Sequence, residues 1–233
     1  MSQNIQRLKA IIVIGKPGCG KSVMVWYLGS LLVEDGFKVK FLSDRIGLED
    51  AVIKDVKGVK PDKDGIKYGK HSKLIADGPP GHRKVHILDG YFLNKVHEKF
   101  ISDIVNLNNR KVVTIIEYAI GPIIDFGPKK SPLLQDSKYL ISLIKKNRVK
   151  KSILVIDVEA NLKVRQLRES SRSDSMAPET FEAYFPDGGE ITKSQERILG
   201  NSYIRFLNND EDHDGYFSEA RYIYEVNIKP YLL

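Results

Sequence analysis

Apolar positions fall into short β-branched runs separated by longer stretches in which apolar residues return every three or four places. Ala10 to Ile14 is one run, and others are Phe37 to Leu42 (FKVKFL), Val85 to Leu88, Lys111 to Ile116 (KVVTII) and Ser152 to Val158 (SILVIDV). Runs of this length and composition predict strands buried on both faces. Arg221 to Val226 (RYIYEV) reads as a last strand near the C-terminus. Between them, SVMVWYLGSLLVEDG is apolar on most faces and closes at Gly36, as a buried helix with a glycine stop does. A helical pattern from about Asn94 carries Val96, Phe100, Ile104 and Leu107 at helical spacing. Ser131-Pro132 predicts another helix start, and an Arg-rich helix is expected over 161 to 170. Strands alternating with helices predict an α/β fold, a mainly parallel sheet of about five strands covered on both faces. Two stretches resist this pattern. Residues 49 to 83 are lysine- and glycine-rich, with the breaker cluster Ala76-Asp77-Gly78-Pro79-Pro80-Gly81, and read as an irregular insert; residues 186 to 215 read as looser.

The chain has 233 residues, 42% hydrophobic and 29% charged, which excludes bulk disorder and fibrous repeats. No apolar stretch approaches the ~18 residues needed to cross a bilayer, so no membrane partner is expected. The start, MSQNIQRLK, carries no apolar signal core, and no cleaved leader is expected. A single cysteine forms no internal disulfide, and a cytoplasmic home is the expectation. Lys and Arg outnumber Asp and Glu by 37 to 30, a balance of +7 that suits phosphorylated ligands, nucleic acid or an acidic surface alike.

One segment narrows the chemistry. The first strand runs directly into Gly15-Lys16-Pro17-Gly18-Cys19-Gly20-Lys21-Ser22, a G-x-x-x-x-G-K-S phosphate-binding loop followed by a helix. Glycines let the backbone curl so that successive N–H groups face phosphate oxygens, and the helix N-terminus adds positive charge at the same point. Lys21 is placed to reach the β and γ phosphates, and the Ser22 hydroxyl to ligate Mg²⁺. Cys19 fills a variable slot and reads as packing.

Ligands of parallel sheets bind beyond the carboxyl ends of the strands. Three acids stand at such ends: Asp44, Asp89 and Glu117. Phosphoryl transfer uses one carboxylate for Mg²⁺ and often another to orient the acceptor hydroxyl, and a solvated strand-end acid is the plain alternative for each. Asp89 and Glu117 compete for the metal, because the strand of one should lie beside the phosphate-loop strand; Asp89 is slightly preferred for the adjoining Gly90, which lets substrate approach the backbone, with Glu117 close behind. Arg165, Arg168 and Arg172 recur at intervals of three and four and share one helix face or its continuation. Arginines so grouped neutralise a transferring phosphoryl group, or form a solvated face paired with Glu169 and Asp174.

The loop GKPGCGKS, the run HILDGY and the stretch SILVIDVEANLKVRQLRESSRSD resemble the P-loop small-molecule kinases, the broad group of nucleoside, nucleotide and adenylylsulfate kinases. The resemblance implies a three-layer P-loop nucleotide-binding fold over residues 1–233, with an insert at about 46–84 and a lid at about 165–190. It implies ATP and Mg²⁺ as cofactors and a small-molecule phosphoryl acceptor. Arg165, Arg168 and Arg172 would be lid or transition-state arginines, and Asp44-Arg45 would lie at the acceptor site. LDG at 88–90 resembles the adenylate-kinase type of magnesium-associated strand end; IIEYA at 115–119 resembles the uridine-kinase type.

Other patterns are weaker. Asp210 to Gly215 begins like a calcium loop but has Arg221 where a bidentate glutamate is required. His82 and His86 have no zinc-type partners nearby. No guanine-reading N-K-x-D occurs. The leading reading is therefore Mg-ATP-dependent phosphotransfer to a small molecule. An ATPase or switch coupled to a partner is the second reading, and action on a nucleic-acid end is less favoured. The acceptor and the oligomeric state are left open.

Overall fold

A computed structural model describes residues 7–105, 112–119, 137–146, 149–171, 178, 181–182, 191–209 and 213–232. Among the described residues, eight strands form two sheets. The larger has the order β2-β6-β1-β7-β8, built from β1 (Ala10–Gly15), β2 (Lys38–Ser43), β6 (Val112–Ala119), β7 (Ile153–Glu159) and β8 (Tyr203–Leu207). Every neighbouring pair in it is parallel.

The centre of this sheet explains its sequence. All six residues of β1 are buried, because both faces are covered. Ile11 and Val13 join one apolar cluster with Met24 and Leu28 of α1 (Lys21–Glu34) and with Ala220 and Ile223 of α7 (His213–Ile223). Ala10, Ile12 and Ile14 join the other, with Phe100 and Ile104 of α3 (Gly90–Val105), Leu140 and Ile144 of α4 (Ser137–Lys146), and Leu199 of α6 (Lys193–Leu199). Alternate side chains therefore face opposite layers, as a pleated strand demands, and no position is left for a polar residue. The sheet and its two helical layers are the expected α/β architecture.

The smaller sheet is antiparallel, β3-β4-β5, from β3 (Lys67–Tyr68), β4 (Ser72–Ala76) and β5 (Lys84–Ile87). It packs with α2 (Asp44–Asp55) and α3 around a small apolar cluster of Val52, Val56 and Leu74. Here the irregular insert expected over 49–83 gives way to ordered structure. Its strands are two to five residues long and mostly half-exposed, so their alternation carries little signal. Asp55 supplies a polar tie, its Oδ2 accepting hydrogen bonds from the His71 N–H at 2.9 Å and the Ser72 hydroxyl at 2.7 Å.

Two further expectations are corrected. RYIYEV at 221–226 is helical, lying in α7 and a following π-helical turn (Tyr224–Ile228). Ala220, Ile223, Tyr224 and Ile228 are its buried positions, at helical spacing that the run of β-formers masked. The stretch 186–215 holds α6, capped by Thr192 and Gln195 in a capping box, and the edge strand β8. The helix start expected at Ser131-Pro132 lies outside the described residues.

Candidate active site

The loop from Gly15 to Gly20 joins β1 to α1 at the carboxyl edge of the larger sheet. Gly18 has φ +75°, and a Cβ there would stand 2.8 Å from the Arg165 carbonyl. Only glycine meets both demands. The ammonium of Lys21, nearly buried, donates to the Lys16 carbonyl at 3.0 Å, and the Cys19 N–H reaches the same oxygen at 3.3 Å. The Cys19 thiol is packed in the apolar cluster, and burial pushes its pKa up. What Cys19 offers a ligand is backbone.

The two carboxylates competing for the metal separate cleanly in space. Glu117 lies on β6, in register with Val13 of β1 on one side and Ser43 of β2 on the other. Its Oε1 accepts a hydrogen bond from the Ser22 hydroxyl at 2.5 Å. Asp89 instead follows β5, whose partner is β4 of the smaller sheet, and its Oδ2 stands 2.9 Å from Nδ1 of His71. Its Oδ1 accepts from the Tyr91 N–H at 2.9 Å, tying the start of α3. The strand beside the phosphate-loop strand is thus that of Glu117.

Asp44 opens α2 one residue after Ser43, the register partner of Glu117, and is almost fully buried. Its Oδ1 accepts from the Arg45 N–H at 2.7 Å. Arg45 pairs with Glu49 at 3.3 Å, and Glu49 also accepts from the Gly81 N–H at 2.6 Å and lies 3.7 Å from Arg83. This buried glutamate fastens the 77–83 turn to α2.

The arginine helix α5 (Leu162–Ser170) lies against the back of the loop. Arg165 is 1% exposed; its Nε donates to the Ala160 carbonyl at 2.9 Å, and its guanidinium stands over the Phe181 ring. Arg168 donates to the Gly18 carbonyl at 3.3 Å and to the side chain of Asn208 at 3.1 Å. Arg172 and most of the lid expected at about 165–190 lie outside the described residues.

Two residues touching the loop escaped the sequence reading. Nδ2 of Asn208 donates to the Cys19 carbonyl at 2.7 Å, and the Tyr216 hydroxyl donates to the Gly20 carbonyl at 3.0 Å. Asn208 follows β8 at its carboxyl end, so the strand-end rule that selected Asp44 and Glu117 selects it too once β8 is recognised.

A G-x-x-x-x-G-K-S loop following the central strand of a five-stranded parallel sheet, with helices on both faces, defines a P-loop kinase-like fold. No protein-family model matches the chain, and no curated protein matches it. Among solved structures it is similar to APE1195 (16% identity, TM-score 0.52, covering 99% of this chain and 100% of that one). It is also similar to an unliganded sugar kinase from Janibacter sp. HTCC2649 (13% identity, TM-score 0.48, 97% and 98% coverage). Shikimate kinase from Acinetobacter baumannii in complex with shikimate is a further match (12% identity, TM-score 0.47, 97% and 96% coverage). The likeness is one of fold. No helix among the described residues is long and apolar enough to cross a membrane.

Proposed function

We propose that the protein is a Mg-ATP-dependent phosphotransferase acting on a small-molecule acceptor, with nucleosides and nucleotides the first acceptor class to try. The observation that carries this reading is the contact between the Ser22 hydroxyl and the Glu117 carboxylate beside the phosphate loop. These are two hard oxygen donors, and no cluster of three or more His, Cys, Asp or Glu side chains occurs among the described residues. That donor set fits Mg²⁺, which takes few protein ligands and fills its shell from phosphates and water. When bound, the ion supplies charge neutralisation at the β and γ phosphate oxygens.

The chain's own residues then divide the work. Loop N–H groups and Lys21 bind and orient the phosphates; Lys21 has only to leave the Lys16 carbonyl for a phosphate oxygen. Asp44, adjacent along the strand ends to Glu117, accepts the hydrogen of the acceptor hydroxyl and aims its oxygen. Glu117 serves the metal in this assignment. Asp89 is committed to the smaller lobe.

The test is ADP release from Mg-ATP across nucleosides, nucleotides and sugars, by wild-type protein, Lys21→Ala and Asp44→Asn. Acceptor-dependent release, lost in both variants with melting temperatures retained, is the expected result. Release that no acceptor stimulates, and that Asp44→Asn leaves intact, would replace the transferase with an ATPase. Wild-type turnover in Lys21→Ala would remove the phosphate-loop reading altogether.

A further inference from the structure

The back of the loop carries an arrangement that phosphate binding alone does not require. Three consecutive loop carbonyls each meet a side chain from a different element: Gly18 meets Arg168 of α5, Cys19 meets Asn208 after β8, and Gly20 meets Tyr216 of α7. We infer that Arg168, Asn208 and Tyr216 are positioning residues, which hold the loop in its phosphate-accepting form by fixing these three carbonyls on its outer side. The inference rests on the reading above, that the loop binds phosphate.

The physical link is the planarity of the peptide unit. In a trans peptide the C=O of one residue and the N–H of the next point in opposite directions and turn together. Fixing the carbonyls of residues 18, 19 and 20 therefore fixes the N–H groups of residues 19, 20 and 21 on the other side. The Cys19 N–H and the Lys21 ammonium converge on the Lys16 carbonyl, whose place a phosphate oxygen would take. Donors gather on one side of the loop, and acceptors are taken up on the other.

Asn208 is the hub. It is 7% exposed, and its Oδ1 accepts from Arg168 while its Nδ2 donates to Cys19. A guanidinium only donates and a carbonyl only accepts, so the two neighbours fix which way the amide faces. The Asn208 carbonyl takes a second hydrogen bond from Arg168 at 3.4 Å, and its N–H donates to the Glu159 carbonyl at 2.7 Å, extending the β7–β8 ladder. Asn209 continues the tie, its Oδ1 accepting from the Asn161 N–H at the start of α5. Tyr216 is buried edge-on against Phe206, with ring centroids 4.9 Å apart, and burial raises the pKa of its hydroxyl, which stays a donor throughout the neutral range. Side chains braced in this way supply donors without reorganising when ligand arrives.

The experiment compares Tyr216→Phe, Asn208→Ala and Lys21→Ala with wild type. Each is titrated calorimetrically with inorganic tripolyphosphate and with Mg-ATP, and melted without ligand. Hydrogen exchange is followed at the amides of residues 19–21. Tyr216→Phe keeps the ring and loses only the hydroxyl, so it carries the test if Asn208→Ala does not fold. Both clamp variants should bind each probe about 10-fold more weakly, the scale of one hydrogen bond to a preorganised site. Exchange at the three amides should rise in the ligand-free state. A lowered melting temperature with unchanged dissociation constants in the folded protein would mean plain packing, and would overturn the inference. Wild-type affinity in Tyr216→Phe beside lost affinity in Lys21→Ala would overturn the clamp and leave the phosphate loop standing. A wild type that binds neither probe would fail both readings.

Discussion

The two sheets of this molecule are held by different means. At the loop base of the larger one, an added methyl group has nowhere to go: a Cβ on Gly15 would run into the Val158 carbonyl and stand 2.7 Å from the Cys19 sulfur. In the smaller one, a Cβ on Gly65, before β3, would meet nothing within 4 Å, while one on Gly69, between β3 and β4, would run into the Asp55 carboxylate, a polar tie and not apolar packing. The first region is a close-packed solid continuous through both faces of β1, and its geometry follows from shape. The second has three buried apolar residues at its centre and is located by polar ties at Asp55, Glu49 and the His71–Asp89 pair. A loop that must hold N–H groups to tenths of an ångström belongs on the first kind of support.

Four substitutions sharpen or break this contrast. The largest effect is expected from Gly15→Ala, which combines φ +145° with contact on backbone and should cost more than about 3 kcal/mol in denaturant unfolding. Near-native stability there would show that the loop base is looser than its packing states. Asp55→Ala comes next. It strands the fully buried Ser72 hydroxyl and the His71 N–H, at a cost of about 2 kcal/mol. Amide exchange should quicken in β3, β4 and β5 while Mg-ATP affinity holds; equal quickening in β1 would mean that the two regions unfold as one. Gly65→Ala should cost about 1 kcal/mol, from its φ of +80° alone, read as a shift of melting temperature.

The smallest effect is a polar tie placed on the packed region. Asp35 accepts from the Tyr224 hydroxyl at 2.8 Å and from the Lys229 ammonium at 3.0 Å, and these partners, Tyr224 first, depress its pKa. A carboxyl with a depressed folded pKa stabilises fully above its unfolded value, near pH ~4, and loses that contribution as the pH falls through the folded value. The melting-temperature gap between wild type and Asp35→Asn should therefore be widest at neutral pH, a degree or two, and close as the pH falls through the folded value. A gap that widened on acidification would contradict the sign.

What could be read from the sequence follows the same division. β1, the loop and α1 were legible because a strand buried on both faces must be an unbroken apolar run, and glycine spacing is fixed by backbone geometry. β8 was not: Arg205 interrupts it, and as the edge strand it buries Phe206 but leaves Leu207 exposed. With β8 unseen, Asn208 had no reason to stand out. Asp89 and Glu117 each close an apolar run, and the glycine after Asp89 tilts the choice slightly toward it, away from the carboxylate that stands beside the loop strand. Only pairing separates them, because β5 is a short strand of an antiparallel hairpin and β6 is a neighbour of β1. Arg165 and Arg168 were visible as a repeated face. That Arg168 turns toward a loop carbonyl while Arg165 turns to the Ala160 carbonyl and the Phe181 ring is a tertiary fact that spacing cannot carry.

The clamp on the loop also has a place in time. Gly18, Cys19 and Gly20 leave the ribosome well before the side chains that meet their carbonyls, which lie 150, 189 and 196 residues later. Even β1 has no strand to pair with until β6 and β7 have been made. At the usual ~5–20 residues per second of translation, roughly ten to forty seconds separate the loop from its last brace. During that interval a glycine-rich segment and an all-apolar strand wait unpaired on the nascent chain. The loop is therefore made long before the residues that brace it.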